Sequence, residues 1–126
     1  MESLVGVWKL VEARAFDDAG RELPPPLGSQ PMGLALFESE RMVGVIGDAR
    51  ASLPTEVTAR FFAAYTGTYR LDGDVLVTKA DDASKPELIV EQVRRVRFHG
   101  PNRFTAIPIS GIPGYSGINV VWERVG

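Results

Sequence analysis

Hydrophobic and polar residues alternate in short segments along most of the chain, and turn-forming residues separate these segments. Alternation with a period of two residues is typical of a β-strand with one buried face. Successive segments are joined by short connections, of which Asp72-Gly73 is a strong hairpin signal, so neighbouring strands are predicted to run antiparallel. The predicted strands span residues 4–16, 32–38, 41–47, 68–71, 75–79, 88–98, 103–107 and 119–125.

The segment 54–65 departs from this pattern and predicts one short helix after the third strand. Its apolar residues Val57, Phe61, Ala64 and Tyr65 recur at helical spacing, and a proline opens the segment, which suits the first turn of a helix. On such a helix Phe61 would either form part of a lid over a ligand site or simply pack the helix onto the strands.

Eight antiparallel strands would leave two unpaired edges unless the sheet closes on itself. A closed barrel of eight strands is just wide enough to enclose side chains or one small ligand. The chain has 126 residues, 44% of them hydrophobic, which is enough for one core and too little for two domains. We therefore predict an all-β fold in which residues 1–126 form a single domain, an eight-stranded antiparallel up-and-down barrel with one short helix.

Composition and charge remove several classes of function. The absence of cysteine excludes disulfides and zinc–thiolate sites. The single histidine, His99, is predicted to lie in a turn, so we expect neither a metal site nor a bound cofactor. The net charge of −2 and the lack of a basic run argue against nucleic acid as a partner. Without a signal-like start or an apolar stretch of about 20 residues, we expect a cytoplasmic protein with no membrane partner.

Several short segments, beginning near the first residues and ending near the last, resemble the motifs of a known family. Gly6-Val7-Trp8 resembles the glycine-x-tryptophan start of the lipocalin and calycin barrels, in which the tryptophan plugs the closed end and a late arginine packs over its indole. Arg124 matches that arginine by position, and a cation–π contact would give the pair a physical basis. The segments that together resemble the bacterial and fungal lipocalin-like domain family are, in order, 4–11, 31–34, 67–69, 92–95 and 121–124.

This resemblance implies a small lipocalin-like β-barrel in which Gly6, Trp8 and Arg124 have structural roles. Some members of the family act as cofactor-free isomerases or cyclases in polyketide or terpenoid pathways. Relatives often carry histidine on the strand where this chain has Val77-Thr78-Lys79. Chemistry that depends on those histidines is therefore not expected here.

Polar residues on the predicted inward face of the first strand are candidates for a site inside the barrel. Glu12 and Arg14 share the face of Trp8 if the alternation is unbroken. There they would either pair with each other at the rim or contact a ligand. In the second case Glu12 would serve as a general base or as an acceptor for the ligand.

On the sixth predicted strand, Gln92 and Arg94 interrupt an otherwise apolar face. A buried arginine needs acceptors, so Arg94 should contact a carboxylate, a carbonyl group or the anion of a ligand. Glu12 and Glu123 are the carboxylates that would form a structural pair with it. The sequence leaves the structural pair and the ligand contact open.

Three tyrosines complete the set of ligand-binding candidates. Tyr65 and Tyr69 share one face if the strand begins by Tyr65, and their phenols would either bond to a ligand or pack in the core. Tyr115 lies in the loop 108–117, where apolar residues suggest a gate over the cavity or a dimer contact.

We therefore predict that the barrel binds a small, mostly hydrophobic molecule in its cavity. The first alternative is a cofactor-free isomerase, cyclase or dehydratase acting on a polyketide- or terpenoid-like substrate, with Glu12, Tyr69 and Arg94 as catalytic candidates. The second alternative is a structural barrel that acts through a homodimer interface.

Overall fold

The antiparallel barrel predicted from the alternation is confirmed. A computed structural model of the protein describes residues 3–17, 19–57, 59–110 and 118–126. Its strands form one closed antiparallel barrel in chain order, and the last strand pairs with the first. The elements are β1 Gly6–Ala15, β2 Pro31–Phe37, β3 Arg41–Asp48, β4 Phe62–Asp72, β5 Val75–Ala83, a 3-10 turn at Pro86–Leu88, β6 Glu91–Phe98, β7 Arg103–Ser110 and β8 Ile118–Arg124.

The helix predicted over 54–65 is wrong. The end of this segment instead begins β4, where Ala64 pairs with Val45 of β3. A hydrogen bond of 2.9 Å from Val57 N to Pro54 O closes one turn, and no helix follows it in the described residues. A short helix is marginal without tertiary support, whereas pairing with β3 satisfies the backbone groups of the barrel wall.

The predicted sixth strand also begins later than expected. Pro86–Leu88 forms a 3-10 turn, and β6 begins at Glu91. A proline has no amide hydrogen to contribute to a ladder, which favours a turn over a strand at this point. Leu88 nevertheless reaches the barrel interior and is buried.

A β-bulge in β1 decides which residues of that strand face the interior. Leu10 and Glu12 pair with consecutive residues of β8, so Val11 is an extra residue in the ladder. An extra residue reverses the alternation beyond it. The buried residues are therefore even-numbered up to Leu10 and odd-numbered afterwards, at Ala13 and Ala15.

Trp8 fills one end of the barrel. Its side chain is fully buried, its Nε1 donates a hydrogen bond of 2.8 Å to Leu4 O, and its ring meets Phe104 edge to face with 4.7 Å between centroids. Arg124 Cζ lies 4.2 Å from the indole centroid, which is the contact that the family resemblance implies. The tight connections β2–β3, β4–β5 and β6–β7 lie at this end, and the longer connections β1–β2 and β3–β4 lie at the opposite end.

Candidate functional site

A cavity of about 150 Å³ lies inside the barrel. The described residues that line it from β2, β3, β7 and β8 are all apolar, whereas its polar residues come from β4, β5 and β6. A cavity of about this volume is large enough for a molecule the size of benzene. The apolar side chains in its wall include Phe37, Met42, Ile46, Phe104, Val120 and Trp122.

Four polar side chains meet on one wall of the cavity, which we call the polar wall: Tyr65 of β4, Thr78 of β5, and Gln92 and Arg94 of β6. Arg94 Nη1 donates to Thr78 Oγ1 at 3.2 Å, and Arg94 Nη2 donates to Tyr65 Oη at 3.2 Å. The same Nη2 also donates to Gln92 Oε1. Alternation along β6 brings Gln92 and Arg94 to the face of the buried Val96, as the sequence predicts.

The polar wall offers Arg94 neutral acceptors and no counterion. None of the ion pairs in the described part of the chain involves Arg94. The carboxylates expected to pair with it are engaged elsewhere. Glu123 binds Arg103 with 2.5 Å between Nη2 and Oε2, and this contact holds the pKa of the Glu123 carboxyl below its usual value. Glu12 Oε1 lies 3.5 Å from Arg14 Nε.

Gln92 adds a second unmet donor to the polar wall. The residue is only 5% exposed. A guanidinium group donates and cannot accept, so the amide of Gln92 must turn its oxygen toward Arg94 and its nitrogen away. That nitrogen, Nε2, is buried and has no hydrogen-bond partner in the described structure. Among the described residues, the polar wall therefore holds a guanidinium without a carboxylate partner and a buried amide donor without an acceptor.

The prediction that Glu12 and Arg14 share the inward face of Trp8 is wrong. The bulge at Val11 turns both side chains to the outside of the barrel, where they are exposed. Arg14 Nη2 binds Glu22 Oε1 at 2.6 Å, and this hydrogen-bonded ion pair lowers the pKa of the Glu22 carboxyl. Neither Glu12 nor Arg14 belongs to the cavity lining.

Tyr69 lies near the closed end, outside the set of residues that line the cavity. Its hydroxyl donates to Glu38 O, and its ring packs edge to face on Phe37 with 4.9 Å between centroids. Partial burial, followed by the nearby Glu38 carboxylate, raises the pKa of the Tyr69 phenol. The contacts of Tyr69 match the core-packing alternative that the sequence left open.

Two further predicted contacts lie away from the cavity lining or outside the described residues. Phe61 is partly buried against the core, with Lys85 Nζ at 5.5 Å from its ring centroid, and it does not line the cavity. Both alternatives for Phe61, a lid over the ligand and a residue that holds the helix in place, assumed a helix that the described residues do not contain. Tyr115 lies outside the described residues.

Thr78 of the polar wall and Trp122 are among the cavity residues that sequence reasoning missed. Thr78 lies where relatives often carry histidine, and the residue is 1% exposed and accepts a hydrogen bond from Arg94. Alternation along β5, where Leu76 is buried on the same face, is the signal that identifies it. Trp122 also lines the cavity, and its position two residues before the inward-packed Arg124 is the corresponding signal.

The described residues contain no group of three or more histidine, cysteine, aspartate or glutamate side chains arranged to hold a metal ion. Among them there is also no helix with the length and apolar character needed to cross a membrane.

Comparison with known proteins gives a family and no individual relative. No curated protein matches the chain, and no solved structure does so either. The family model described as "lipocalin-like domain" matches residues 5–125, which is nearly the whole sequence. The match covers the barrel, the Trp8–Arg124 contact and every described residue of the cavity lining. The chain therefore belongs to the lipocalin-like domain family.

Proposed function

We propose that this protein binds a small, mostly apolar molecule in the barrel cavity. The observation that carries the proposal is the cavity of about 150 Å³, apolar around most of its surface and polar on one wall. A mostly apolar cavity with a few placed polar groups is the usual arrangement of a small-molecule site. Membership of a lipocalin-like family agrees with such a role.

The size of the cavity limits the size of the ligand. Sites for drug-sized molecules typically enclose about 300 to 1,000 Å³, whereas this cavity has about 150 Å³. The ligand body that fits inside is therefore of the order of a single ring, as in cavities that bind benzene. Toluene and benzyl alcohol are suitable neutral probes.

The test uses Trp122, which lines the cavity, as a fluorescent reporter of binding. Either probe titrated into the wild-type protein is expected to change the emission in a saturable way. Ala35 is buried in the cavity wall, so Ala35→Leu should fill part of the cavity and weaken binding by at least about tenfold. Leu34→Met is the matched control, since Leu34 is exposed on the outer face of the same strand.

Two results would overturn the proposal. One is the absence of saturable binding of both probes to the wild-type protein. The other is equal affinity of the wild-type protein and Ala35→Leu, because binding at a surface site would not respond to a change in the cavity wall. Native mass spectrometry of the freshly purified protein provides an independent measurement, in which a retained small molecule would appear as a mass shift.

The enzyme alternative has less support than binding. The described residues that line the cavity include no carboxylate, histidine or lysine, and Glu12, the expected general base, is exposed on the outside. Tyr65 and Arg94 are the side chains in the cavity that remain for proton transfer or charge stabilisation. The homodimer alternative rests on exposed apolar residues of the outer face, such as Leu34 and Val43.

A further inference from the structure

Arg94 of the polar wall has no negatively charged partner among the described residues. Arg94 is partly buried in the wall, and its three side-chain acceptors there are two hydroxyls and an amide. A charge removed from water is costly unless it is paired. The described lining residues carry no acidic side chain, so a carboxylate partner for Arg94 inside the cavity would have to belong to a ligand.

The unmet donors of the polar wall, Gln92 Nε2 and the Tyr65 hydroxyl, belong to two side chains that both accept a hydrogen bond from Arg94. Gln92 Oε1 accepts from Arg94, which leaves the buried Gln92 Nε2 without an acceptor. Tyr65 Oη also accepts from Arg94, so the proton of this hydroxyl remains available for donation. A guanidinium, an amide N–H and a hydroxyl on one wall form a set of donors for an anionic oxygen group.

We propose that the ligand of this cavity carries a carboxylate, which Arg94 and Gln92 bind together on the polar wall. This inference rests on the proposed function, the binding of a small apolar molecule. A carboxylate has two oxygens with lone pairs for several donors, and hydrogen bonds between charged partners are the stronger kind. The ligand class is therefore a small organic acid with an apolar body of about one ring.

A neutral polar ligand would leave the site incomplete. A carbonyl or amide oxygen would accept from Gln92 Nε2 or from Arg94, but it would not neutralise the guanidinium. Charge interactions are stronger in a cavity with apolar walls than in water, and most of this lining is apolar. The site should therefore discriminate strongly between an acid and the neutral amide of the same shape.

The experiment compares benzoate with benzamide, which have nearly the same shape and differ in charge. At about pH 7 the wild-type protein is expected to bind benzoate at least about tenfold more tightly than benzamide, measured by calorimetry and by Trp122 emission. Arg94→Met should remove this preference while toluene still binds. The matched control is Arg97→Met, because Arg97 is exposed on the outer face of the same strand and should leave the preference intact.

A second variant tests the site even if Arg94→Met does not fold. Gln92→Glu places a carboxylate beside Arg94, where it acts as an internal counterion. Gln92→Glu should therefore lose benzoate binding, keep toluene binding, and melt at a temperature equal to or above that of the wild-type protein. Unchanged benzoate binding by Gln92→Glu would overturn the proposed site.

The outcomes separate this inference from the proposed function. If toluene binds in the cavity and the wild-type protein shows no preference for benzoate over benzamide, the carboxylate site is overturned and the proposed function stands. A preference for benzoate that survives in the Arg94→Met protein overturns the site in the same way. If no probe binds in the cavity, the proposed function fails, and this inference fails with it.

Discussion

Arg124 covers Trp8 at the closed end of the barrel and ties it to the segment that precedes β1. Its guanidinium lies over the indole, while Nη1 donates to Val5 O at 2.7 Å and Nη2 to Ser3 O at 2.9 Å. Gly6 leaves room for this arrangement, since a Cβ there would lie 2.6 Å from Arg124 Nη1. The Arg124 side chain of β8 thus contacts both Trp8 and the residues just before β1.

Arg124→Met should lower the free energy of unfolding by about 1 to 3 kcal/mol, because it removes the cation–π contact and the charged hydrogen bonds to backbone carbonyls. Urea unfolding followed by tryptophan fluorescence measures the change. Arg97→Met is the control, since Arg97 is exposed and an exposed substitution should stay within about 0.5 kcal/mol. Equal stability of the two variants would contradict a structural role for Arg124.

Gly67→Ala should destabilise the barrel by about 3 kcal/mol, since inserting atoms into a filled space forces the backbone to shift. A Cβ on Gly67 would lie 2.0 Å from Lys79 O, a backbone atom held in the β4–β5 ladder. Thermal and urea unfolding would report the loss.

Gly44→Ala provides the matched control for Gly67→Ala. A Cβ on Gly44 would meet Met42 Cε at 3.5 Å, an ordinary contact distance. Both glycines lie in strand interiors, so a difference in stability between the two variants isolates the steric conflict. The Gly44 variant should change the free energy of unfolding by less than about 1 kcal/mol. Similar losses in both variants would be evidence against the close approach at Gly67.

Asp48→Asn should destabilise the protein at neutral pH, and its effect should shrink in acid. Asp48 is buried at the end of β3, where Arg50 binds it with 2.6 Å between Nη2 and Oδ2 and donates its backbone N–H at 3.0 Å. These contacts lower the pKa of the Asp48 carboxyl. Stabilisation from a lowered pKa is complete above the unfolded value of about 4 and is lost as the pH falls through the folded value.

Urea unfolding of wild type and Asp48→Asn at about pH 7 and about pH 2 tests this pH dependence. The difference in unfolding free energy should be largest at neutral pH and smaller in acid. Asp72→Asn is a suitable control, since Asp72 is exposed in its ion pair with Arg70 and such pairs contribute little. A difference that stays constant between the two pH values would contradict the role of the Asp48 carboxylate.

Tyr69→Phe should make the protein less sensitive to alkaline pH. The pKa of the Tyr69 phenol is raised, so the folded state retains this proton more tightly than the unfolded chain. Stability from a raised pKa is present below the unfolded value of about 10 and declines as the pH rises through the folded value. Wild type should therefore lose more stability than Tyr69→Phe between about pH 8 and about pH 11. An equal loss of stability in both proteins over this pH range would show that ionisation of Tyr69 does not contribute to the sensitivity to alkaline pH.

Alternation of apolar and polar residues predicted the strands, because each strand needs one apolar face toward the core. The short connections predicted antiparallel pairing, and the two edges of an open sheet predicted closure into a barrel. The same local rule brought Gln92 and Arg94 to the inner face, since β6 runs without an extra residue between them and the buried Val96. The ordered motifs added the contact between Trp8 and Arg124, residues at opposite ends of the chain.

Contacts between distant segments decided the remaining features. The segment 54–65 has a helical pattern, but its end pairs with β3. The preference for strand pairing over a helix cannot be read from the residues of this segment alone. The extra residue Val11 exists only relative to its partner strand, and it moved Glu12 out of the barrel. Periodicity along one strand depends on neighbouring residues. Strand pairing, and the absence of an acidic partner for Arg94 among the described residues, depend on which segments meet in the folded barrel.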